Sequence, residues 1–155
     1  MQESLPAGVE RDIVTMEAPG VRRAGAGGYP LQGFYTRPAG TMPKVALIAA
    51  HYNVDFAEHY LSALMAQRGY GFLGWNTRFR GADHFFALDR ALVDIGQGVA
   101  WLRAHGAETV VLLGNSGGGS LMAAYHAQCQ GDVIASSFGI PLCRRFTSCR
   151  PATCM

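Results

Sequence analysis

One stretch decides the fold, Val110-Val111-Leu112-Leu113-Gly114-Asn115-Ser116-Gly117-Gly118-Gly119-Ser120. Its four apolar residues predict a short buried strand, and a helical pattern begins directly after the serine. A glycine-flanked serine between a strand and a helix is the Gly-x-Ser-x-Gly motif in the context that gives it meaning. Because a serine hydroxyl is a weak nucleophile, it must stand clear of the backbone to meet a base and a carbonyl group. The neighbouring glycines permit that sharp turn, since they carry no Cβ atom.

Size and composition indicate one globular domain. The chain has 155 residues, of which 49% are hydrophobic and 15% charged, enough for a sizeable core. The net charge of +2 is too small to indicate a nucleic acid or a membrane surface as partner. Residues 1–10 contain no apolar segment typical of a secretory signal. We therefore expect a cytoplasmic protein.

The sequence indicates neither a metal site nor a cofactor site. Cys143, Cys149 and Cys154 lie close together near the end of the chain, but without Cys-x-x-Cys spacing or neighbouring histidines. A disulfide fits poorly with a cytoplasmic protein. The glycines in residues 24–28 lack the G-x-G-x-x-G spacing of a dinucleotide site and precede no helix. We predict a protein that uses no cofactor and no metal.

Strand and helix patterns alternate along the chain. Apolar runs predict strands over residues 12–17, 31–37, 44–50, 70–75, 109–113 and 132–138. Amphipathic patterns predict helices over residues 56–68, 88–105 and 118–129. The residues expected on the buried sides of these helices are Phe56, Tyr60 and Leu64, with Leu61 and Met65 as further candidates, then Leu88, Leu92, Ile95, Val99 and Leu102, then Leu121, Met122 and Tyr125.

This alternation predicts the α/β fold class. We expect a mostly parallel sheet with helices on both faces, preceded by an antiparallel hairpin. Residues 1–140 form the predicted domain. Residues 141–155 show no periodicity and contain three cysteines and three arginines, and we expect this tail to be disordered.

The chain resembles the α/β-hydrolase superfamily. Gly114-Asn115-Ser116-Gly117-Gly118 after a strand matches the nucleophile turn of that family. His51-Tyr52-Asn53 follows the earlier apolar strand, where the family usually has His-Gly, and residues 76–81 stand where it often has an Arg-Gly loop. The resemblance covers about residues 10–140. It corresponds to the first two-thirds of a typical catalytic domain and implies a truncated α/β-hydrolase fold.

The resemblance implies roles for a few residues. Ser116 would be the nucleophile that attacks a small-molecule ester or a related acyl compound and forms an acyl-enzyme. The backbone N–H of Gly117 would be one donor of the oxyanion hole, and the second would come from Tyr52 or Asn53. Loss of one such donor typically costs about 3 kcal/mol of transition-state stabilisation.

The acid and the histidine of the family's triad do not follow Ser116 in the usual order. The only later histidine is His126, ten residues along the helix and therefore about 15 Å from Ser116 at the helical rise. The only later acidic residue, Asp132, comes after that histidine and begins a strand at the opposite end of the sheet. Neither residue completes a triad.

Earlier residues offer partial substitutes. His51 lies near the site by topology, and His84, beside Asp83, follows the strand over residues 70–75 at the same edge of the sheet. Each is a candidate base. Arg78 and Arg80 either steer an acidic substrate group or are ordinary surface residues. The remaining histidines, which we expect on solvated helix faces, are His59 and His105.

These departures suggest an incomplete chain, as a premature stop or a shifted reading frame would leave it. Residues 132–138 would then be an exposed apolar sheet edge, which predicts self-association. The predicted function is a serine hydrolase of the α/β-hydrolase fold that is weak or inactive as given. Two alternatives stay open: a non-catalytic module that binds an anion at residues 114–120, and a partner chain that supplies the histidine.

Overall fold

The structure is a computed structural model that describes residues 5–20 and 30–130. The elements follow in the order β1 (Val9–Met16), β2 (Leu31–Pro38), β3 (Val45–His51), α1 (Ser62–Gln67), β4 (Gly71–Asn76), α2 (Leu88–Ala104), β5 (Thr109–Leu113) and α3 (Gly117–Gln130), with a 3₁₀ turn at Asp83–Phe85 before α2. In this part of the chain, no helix combines the length and apolar character needed to cross a membrane.

Five strands form one mixed sheet in the order β1-β2-β4-β3-β5. β1 pairs antiparallel with β2, and β2 pairs antiparallel with β4. β3 lies between β4 and β5 and runs parallel to both, with Ile48 opposite Leu73 on one side and Leu112 on the other. The predicted antiparallel hairpin and parallel α/β core are therefore confirmed.

Helices cover both faces of the sheet. α2 and α3 pack on one face, where the larger core includes Tyr35, Ile48, Trp75, Ile95 and Leu121. Trp75 donates its indole N–H to the Asp94 carbonyl of α2 (2.8 Å), which fixes that helix across β4. α1 lies on the opposite face, where the ring of Phe72 stacks on His59. Burial of both faces explains why β3 and β4 are continuous apolar runs.

The carboxyl ends of β3, β4 and β5 meet at one edge of the sheet, because these strands are parallel. Three segments follow there: residues 52–54, which we call the β3 loop; residues 77–81, the β4 loop; and residues 114–116, which connect β5 to α3. Open α/β sheets bind their ligands at this edge. The fold therefore brings together the segments that the sequence singled out.

The predicted helix over residues 56–68 is wrong in its first half, since only Ser62–Gln67 is helical. The Phe56 N–H donates to Asn76 Oδ1 (2.7 Å) and the Ala57 N–H to Asp55 Oδ1 (2.9 Å), so side chains take the backbone donors. A Cβ atom on Gly74 would stand 2.3 Å from the Phe56 carbonyl oxygen. The backbone of residues 56–57 therefore lies directly on β4 instead of coiling.

Several predicted core positions also change. Tyr60 is 72% exposed and Leu64 40% exposed, whereas Ser62 and Ala66 occupy the buried side of α1. Leu88 is exposed at the start of α2, while the other four predicted core residues of that helix are buried. The predicted core residues of α3 are confirmed. The predicted strand over residues 132–138 and the tail over residues 141–155 lie outside the described residues.

Candidate active site

Ser116 stands in the connection between β5 and α3 with a left-handed backbone conformation. Its φ angle is +55°, and within the described residues no other non-glycine residue has a positive φ. A side chain in this region of φ/ψ space is strained, and such strain is maintained only where the surrounding structure imposes it. The turn leaves Ser116 exposed at the carboxyl edge of the sheet.

The surrounding glycines are required by close contacts. A Cβ atom on Gly114 would stand 2.6 Å from Gly119 Cα, and one on Gly118 would stand 2.2 Å from the Ala50 carbonyl oxygen. Real Cβ atoms do not approach other atoms so closely, so α3 starts directly against β3 and the end of β5. This packing holds the strained turn at Ser116 in place.

The first residue of α3, Gly117, faces the β3 loop. A Cβ atom on Gly117 would stand 2.3 Å from Tyr52 Cε1 and 2.7 Å from His51 Nε2. The N–H groups of Gly118 and Gly119 are taken by the Asn115 and Ser116 carbonyls (2.9 and 3.0 Å). The N–H of the first helical residue has no partner within its own helix, so it can serve an external acceptor.

Backbone N–H groups beside His51 favour one of the two neutral tautomers of its ring. The N–H groups of Asn53 and Val54 both point at Nδ1 over long contacts (3.4 and 3.3 Å), an arrangement that favours an Nδ1 without a proton in the neutral ring. In that tautomer the proton lies on Nε2, the atom beside Gly117. A base for Ser116 would need the opposite tautomer, so this geometry disfavours His51 in that role.

The β3 loop is tied to the β4 loop by two hydrogen bonds. The Thr77 hydroxyl lies 3.3 Å from the Tyr52 carbonyl oxygen, and the Gly81 N–H donates to the Asn53 carbonyl (2.8 Å). The Asn53 N–H, a predicted oxyanion donor, points at His51 Nδ1 over a long 3.4 Å contact. That contact is weak by the usual distance criterion, so a substrate oxygen could compete for this donor.

The other histidines do not reach Ser116. His126 is exposed on α3, His84 is exposed in the 3₁₀ turn, and His105 is exposed at the end of α2. Within residues 5–20 and 30–130, no hydrogen bond to the Ser116 hydroxyl is present. Asp132 lies outside the described residues.

The prediction for His59 is wrong. The sequence placed it on a solvated helix face, but it is only 5% exposed and precedes α1. Its ring stacks on Tyr60 and Phe72, and its Nδ1 accepts the Leu61 N–H (3.3 Å). Burial lowers the pKa of His59 below its ordinary value of 6.5.

Arg78 is neither a surface residue nor a substrate-steering residue, contrary to both predictions. Its side chain is 4% exposed and that of Asp94 is 0% exposed. Arg78 Nε lies 3.1 and 3.0 Å from the two Asp94 carboxylate oxygens, and Nη2 lies 2.6 Å from Oδ1. Burial raises the pKa of the Asp94 carboxyl, and the hydrogen bonds from Arg78 oppose that shift.

The sequence analysis missed Asp94, although a signal was present. Asp94 lies three residues after Ala91 and four before Gly98, so all three share the buried face of α2. A carboxylate on a buried helix face requires a partner. The arginine-rich residues 78–80 at the carboxyl edge of the sheet were the available candidates.

Arg80 belongs to a second, more exposed cluster. Arg80 Nη1 lies 3.1 Å from Asp55 Oδ2, and the Asn76 amide donates to Asp55 Oδ1 (2.7 Å). Burial raises the pKa of Asp55, but the hydrogen bonds from Asn76 and the Ala57 N–H, together with Arg80, outweigh it and lower the pKa overall. A cavity of about 600 Å³ on the α1 face of the sheet adjoins this cluster.

Two aromatic side chains, Tyr52 and Tyr60, contact the residues on either side of Ser116. Tyr52 and Phe86 pack edge to face (5.6 Å between ring centroids), and the Asn115 amide donates to the Tyr60 hydroxyl (3.5 Å). Tyr60, Phe85 and Val54 are all at least half exposed. Among the described residues, no group of three or more potential ligands is arranged to hold a metal ion.

Comparison with known proteins identifies the fold. No family model and no curated protein matches the chain. Solved structures do match. One is brefeldin A esterase, a bacterial homologue of human hormone sensitive lipase, with 18% identity and a TM-score of 0.60 over 84% of this chain. Two others are esterase B from Lactobacillus rhamnosis, inhibited by a tributyrin phosphonate, with 19% identity and a TM-score of 0.63 over 90% of this chain, and a bacterial heroin esterase, with 18% identity and a TM-score of 0.53 over 82% of this chain. The chain spans 38%, 46% and 42% of their respective lengths.

Proposed function

Since the chain has the α/β-hydrolase fold of these esterases, we propose that it carries the nucleophile and oxyanion hole of a serine hydrolase acting on carboxylic esters or related acyl compounds. The observation that supports the proposal best is the strained, exposed Ser116 between β5 and α3. An ordinary strand-to-helix connection has no need of a non-glycine residue at φ +55°. A nucleophile turn does, because it lifts the hydroxyl toward the substrate.

In the proposed reaction, Ser116 Oγ attacks the ester carbonyl carbon, and the carbonyl oxygen becomes an oxyanion. The Gly117 N–H and an N–H of Tyr52 or Asn53 would stabilise that charge. The Ser116 hydroxyl proton passes through the base to the alcohol oxygen as the ester C–O bond breaks. Water then attacks the acyl-enzyme, which releases the acid and restores the serine hydroxyl. The aromatic rings of Tyr52 and Tyr60, beside the residues that flank Ser116, favour an apolar acyl group.

The base is the part of the machinery that the described residues do not supply. The contacts at His51 Nδ1 favour a proton on Nε2, the atom beside Gly117, and no other histidine among the described residues hydrogen-bonds to the Ser116 hydroxyl. Since the chain spans less than half the length of the three esterases, we place the base and the acid in polypeptide outside the described residues. Residues 5–130 alone would then hydrolyse esters weakly or not at all, with residual catalysis from binding and the oxyanion hole.

A fluorophosphonate probe tests the proposal, because it forms a covalent bond with a serine hydroxyl, and an oxyanion hole accelerates that bond formation even where other polypeptide supplies the base. The wild-type chain should be labelled, Ser116→Ala should lose the label, and Ser120→Ala, an exposed serine on the same helix, should keep it. Absence of labelling in the wild type, or persistence in Ser116→Ala, would refute the proposal. Absence of labelling together with phosphate binding in a calorimeter would favour the anion-binding module.

A further inference from the structure

The Asp94 carboxylate accepts hydrogen bonds from both the side chain and the backbone of Arg78. Besides the contacts of its guanidinium group, Arg78 donates its backbone N–H to Asp94 Oδ2 (3.0 Å). One carboxylate therefore fixes both the side chain and the peptide unit of Arg78 relative to α2. Replacing a buried ion pair by apolar residues of similar volume is often neutral or stabilising, because removal from water is costly for both charges. Stability alone thus gives weak grounds for this arrangement.

The residues that flank Arg78 hold the β3 loop. Thr77 contributes the hydroxyl group facing the Tyr52 carbonyl, and Gly81 contributes the N–H that binds the Asn53 carbonyl. In a planar trans peptide unit, the carbonyl of one residue fixes the direction of the next residue's N–H. The Tyr52 carbonyl therefore orients the Asn53 N–H, which is a predicted oxyanion donor.

From this geometry we infer that Arg78 and Asp94 are positioning residues: they hold the β4 loop against α2, and the β4 loop in turn aligns the peptide units of the β3 loop for the oxyanion. The inference rests on the proposed function for its catalytic consequence, but its structural step stands separately. An oxyanion hole depends on donors that are already aimed when charge develops. A displacement of about 1 Å in such a group can cost about 100-fold in rate.

The double variant Arg78→Met/Asp94→Leu separates positioning from stability. It removes both charges and leaves neither buried alone, but it also removes the acceptor of the Arg78 backbone N–H. The two effects oppose each other, so we expect a melting temperature close to that of the wild type. We also expect amide hydrogen exchange at Gly81 to accelerate at least tenfold relative to α2 amides. The rate at which the fluorophosphonate labels Ser116 should fall at least tenfold.

Two further variants complete the test. Val14→Ala removes volume from the core at β1, far along the sheet from the β3 loop. It should lower the melting temperature. At temperatures well below the melting transition, it should leave the rate of Ser116 labelling unchanged. Arg78→Lys keeps the charge but loses the planar fork, so it should label more slowly than the wild type and faster than the double variant. If the double variant does not fold, Gly81 exchange and Ser116 labelling are measured on Arg78→Lys instead.

The outcomes distinguish this inference from the proposed function. If the double variant, or Arg78→Lys in its place, exchanges Gly81 and labels Ser116 at wild-type rates, the inference is wrong. If the wild type is not labelled, the proposed function fails. Faster exchange at Gly81 in that case would still support the coupling of α2 to the β3 loop, and unchanged exchange would overturn it.

Discussion

The ring of Tyr52 lies against the first residue of α3, so close that a Cβ atom on Gly117 would stand 2.3 Å from Tyr52 Cε1. This contact joins the two segments that we propose as the oxyanion hole. His51 Nε2 lies on the same side of Gly117, at 2.7 Å from the same Cβ position. The spacing between α3 and the β3 loop is therefore set by the absence of a side chain at residue 117.

Gly117→Ala should separate these two segments. The added methyl group meets an aromatic ring and an imidazole, and overpacking of this kind costs about 1–3 kcal/mol. We expect labelling of Ser116 to slow by at least tenfold. Gly119→Ala is the matched control, because its Cβ atom would have no neighbour within 4 Å. Alanine there should stabilise the helix by about 0.5–1 kcal/mol and leave labelling unchanged. Equal labelling of both variants would contradict the expected clash.

Two substitutions at Ser116 should separate its strain from its chemistry. Ser116→Ala and Ser116→Gly both remove the hydroxyl, so neither should be labelled. Glycine accepts the left-handed backbone without the steric penalty of a Cβ atom. We therefore expect Ser116→Gly to be more stable than Ser116→Ala by about 1 kcal/mol in urea unfolding. The reverse order of stability would show that the turn is not strained.

The stability of the protein should fall as the pH falls below about 6.5, the ordinary pKa of histidine. Because burial lowers the pKa of His59 in the folded state, the unfolded chain binds more protons in this range. Acid therefore favours unfolding through this group, by at most about 1.4 kcal/mol per pH unit. The measurement is urea unfolding at pH 7, 6 and 5.

His59→Phe should remove this contribution while preserving the ring stacking on Phe72. It also loses the acceptor for the Leu61 N–H, at a cost of about 1 kcal/mol. The wild type should thus be the more stable protein at pH 7 and lose that advantage toward pH 5. His126→Gln, which replaces an exposed histidine on α3, controls for the loss of one imidazole. Identical pH slopes for the wild type and His59→Phe would contradict the prediction.

Asn76 should be essential for the segment that replaces the first half of the predicted helix. Asn76→Ala removes the acceptor of the Phe56 N–H and a donor to Asp55, and we expect a loss of about 1–3 kcal/mol in urea unfolding. Asn76→Asp keeps the acceptor but places a carboxylate beside Asp55. Its stability should therefore recover relative to the wild type as the pH falls toward 4, when one of the two carboxyls becomes protonated. A parallel pH dependence of the two proteins would contradict this view.

Local patterns were sufficient for most of the fold. β5 was predicted with its observed bounds, because four apolar residues lie between a polar turn and a glycine. The long helix α2 was predicted to within one residue for the same kind of reason. The helix before β4 was predicted too long. Its amphipathic pattern begins at Phe56, but side-chain oxygens accept the backbone N–H groups of Phe56 and Ala57. Asn76, which holds Phe56, lies 20 positions away, and no local pattern contains that information.

The candidate site was predictable in part. The serine turn and the β3 loop follow from motif and strand order, since both come at the carboxyl ends of parallel strands. The burial of Arg78 was not evident from its own loop, because it depends on Asp94 of another element. The signal for it was the carboxylate on the buried face of α2. The tautomer of His51 likewise depends on backbone N–H groups two and three residues later, whose directions are set by the loop.

The position of β3 between β4 and β5 has a consequence for synthesis on the ribosome. Val45 of β3 pairs with Thr109 of β5, and both β4 and α2 are made in between. Until residues 109–113 emerge, one side of the most apolar strand offers free backbone donors and acceptors to any neighbouring nascent chain. Pairings between distant segments form slowly and are prone to aggregation. Translation pauses before β5 should therefore lower the soluble yield more than pauses after it.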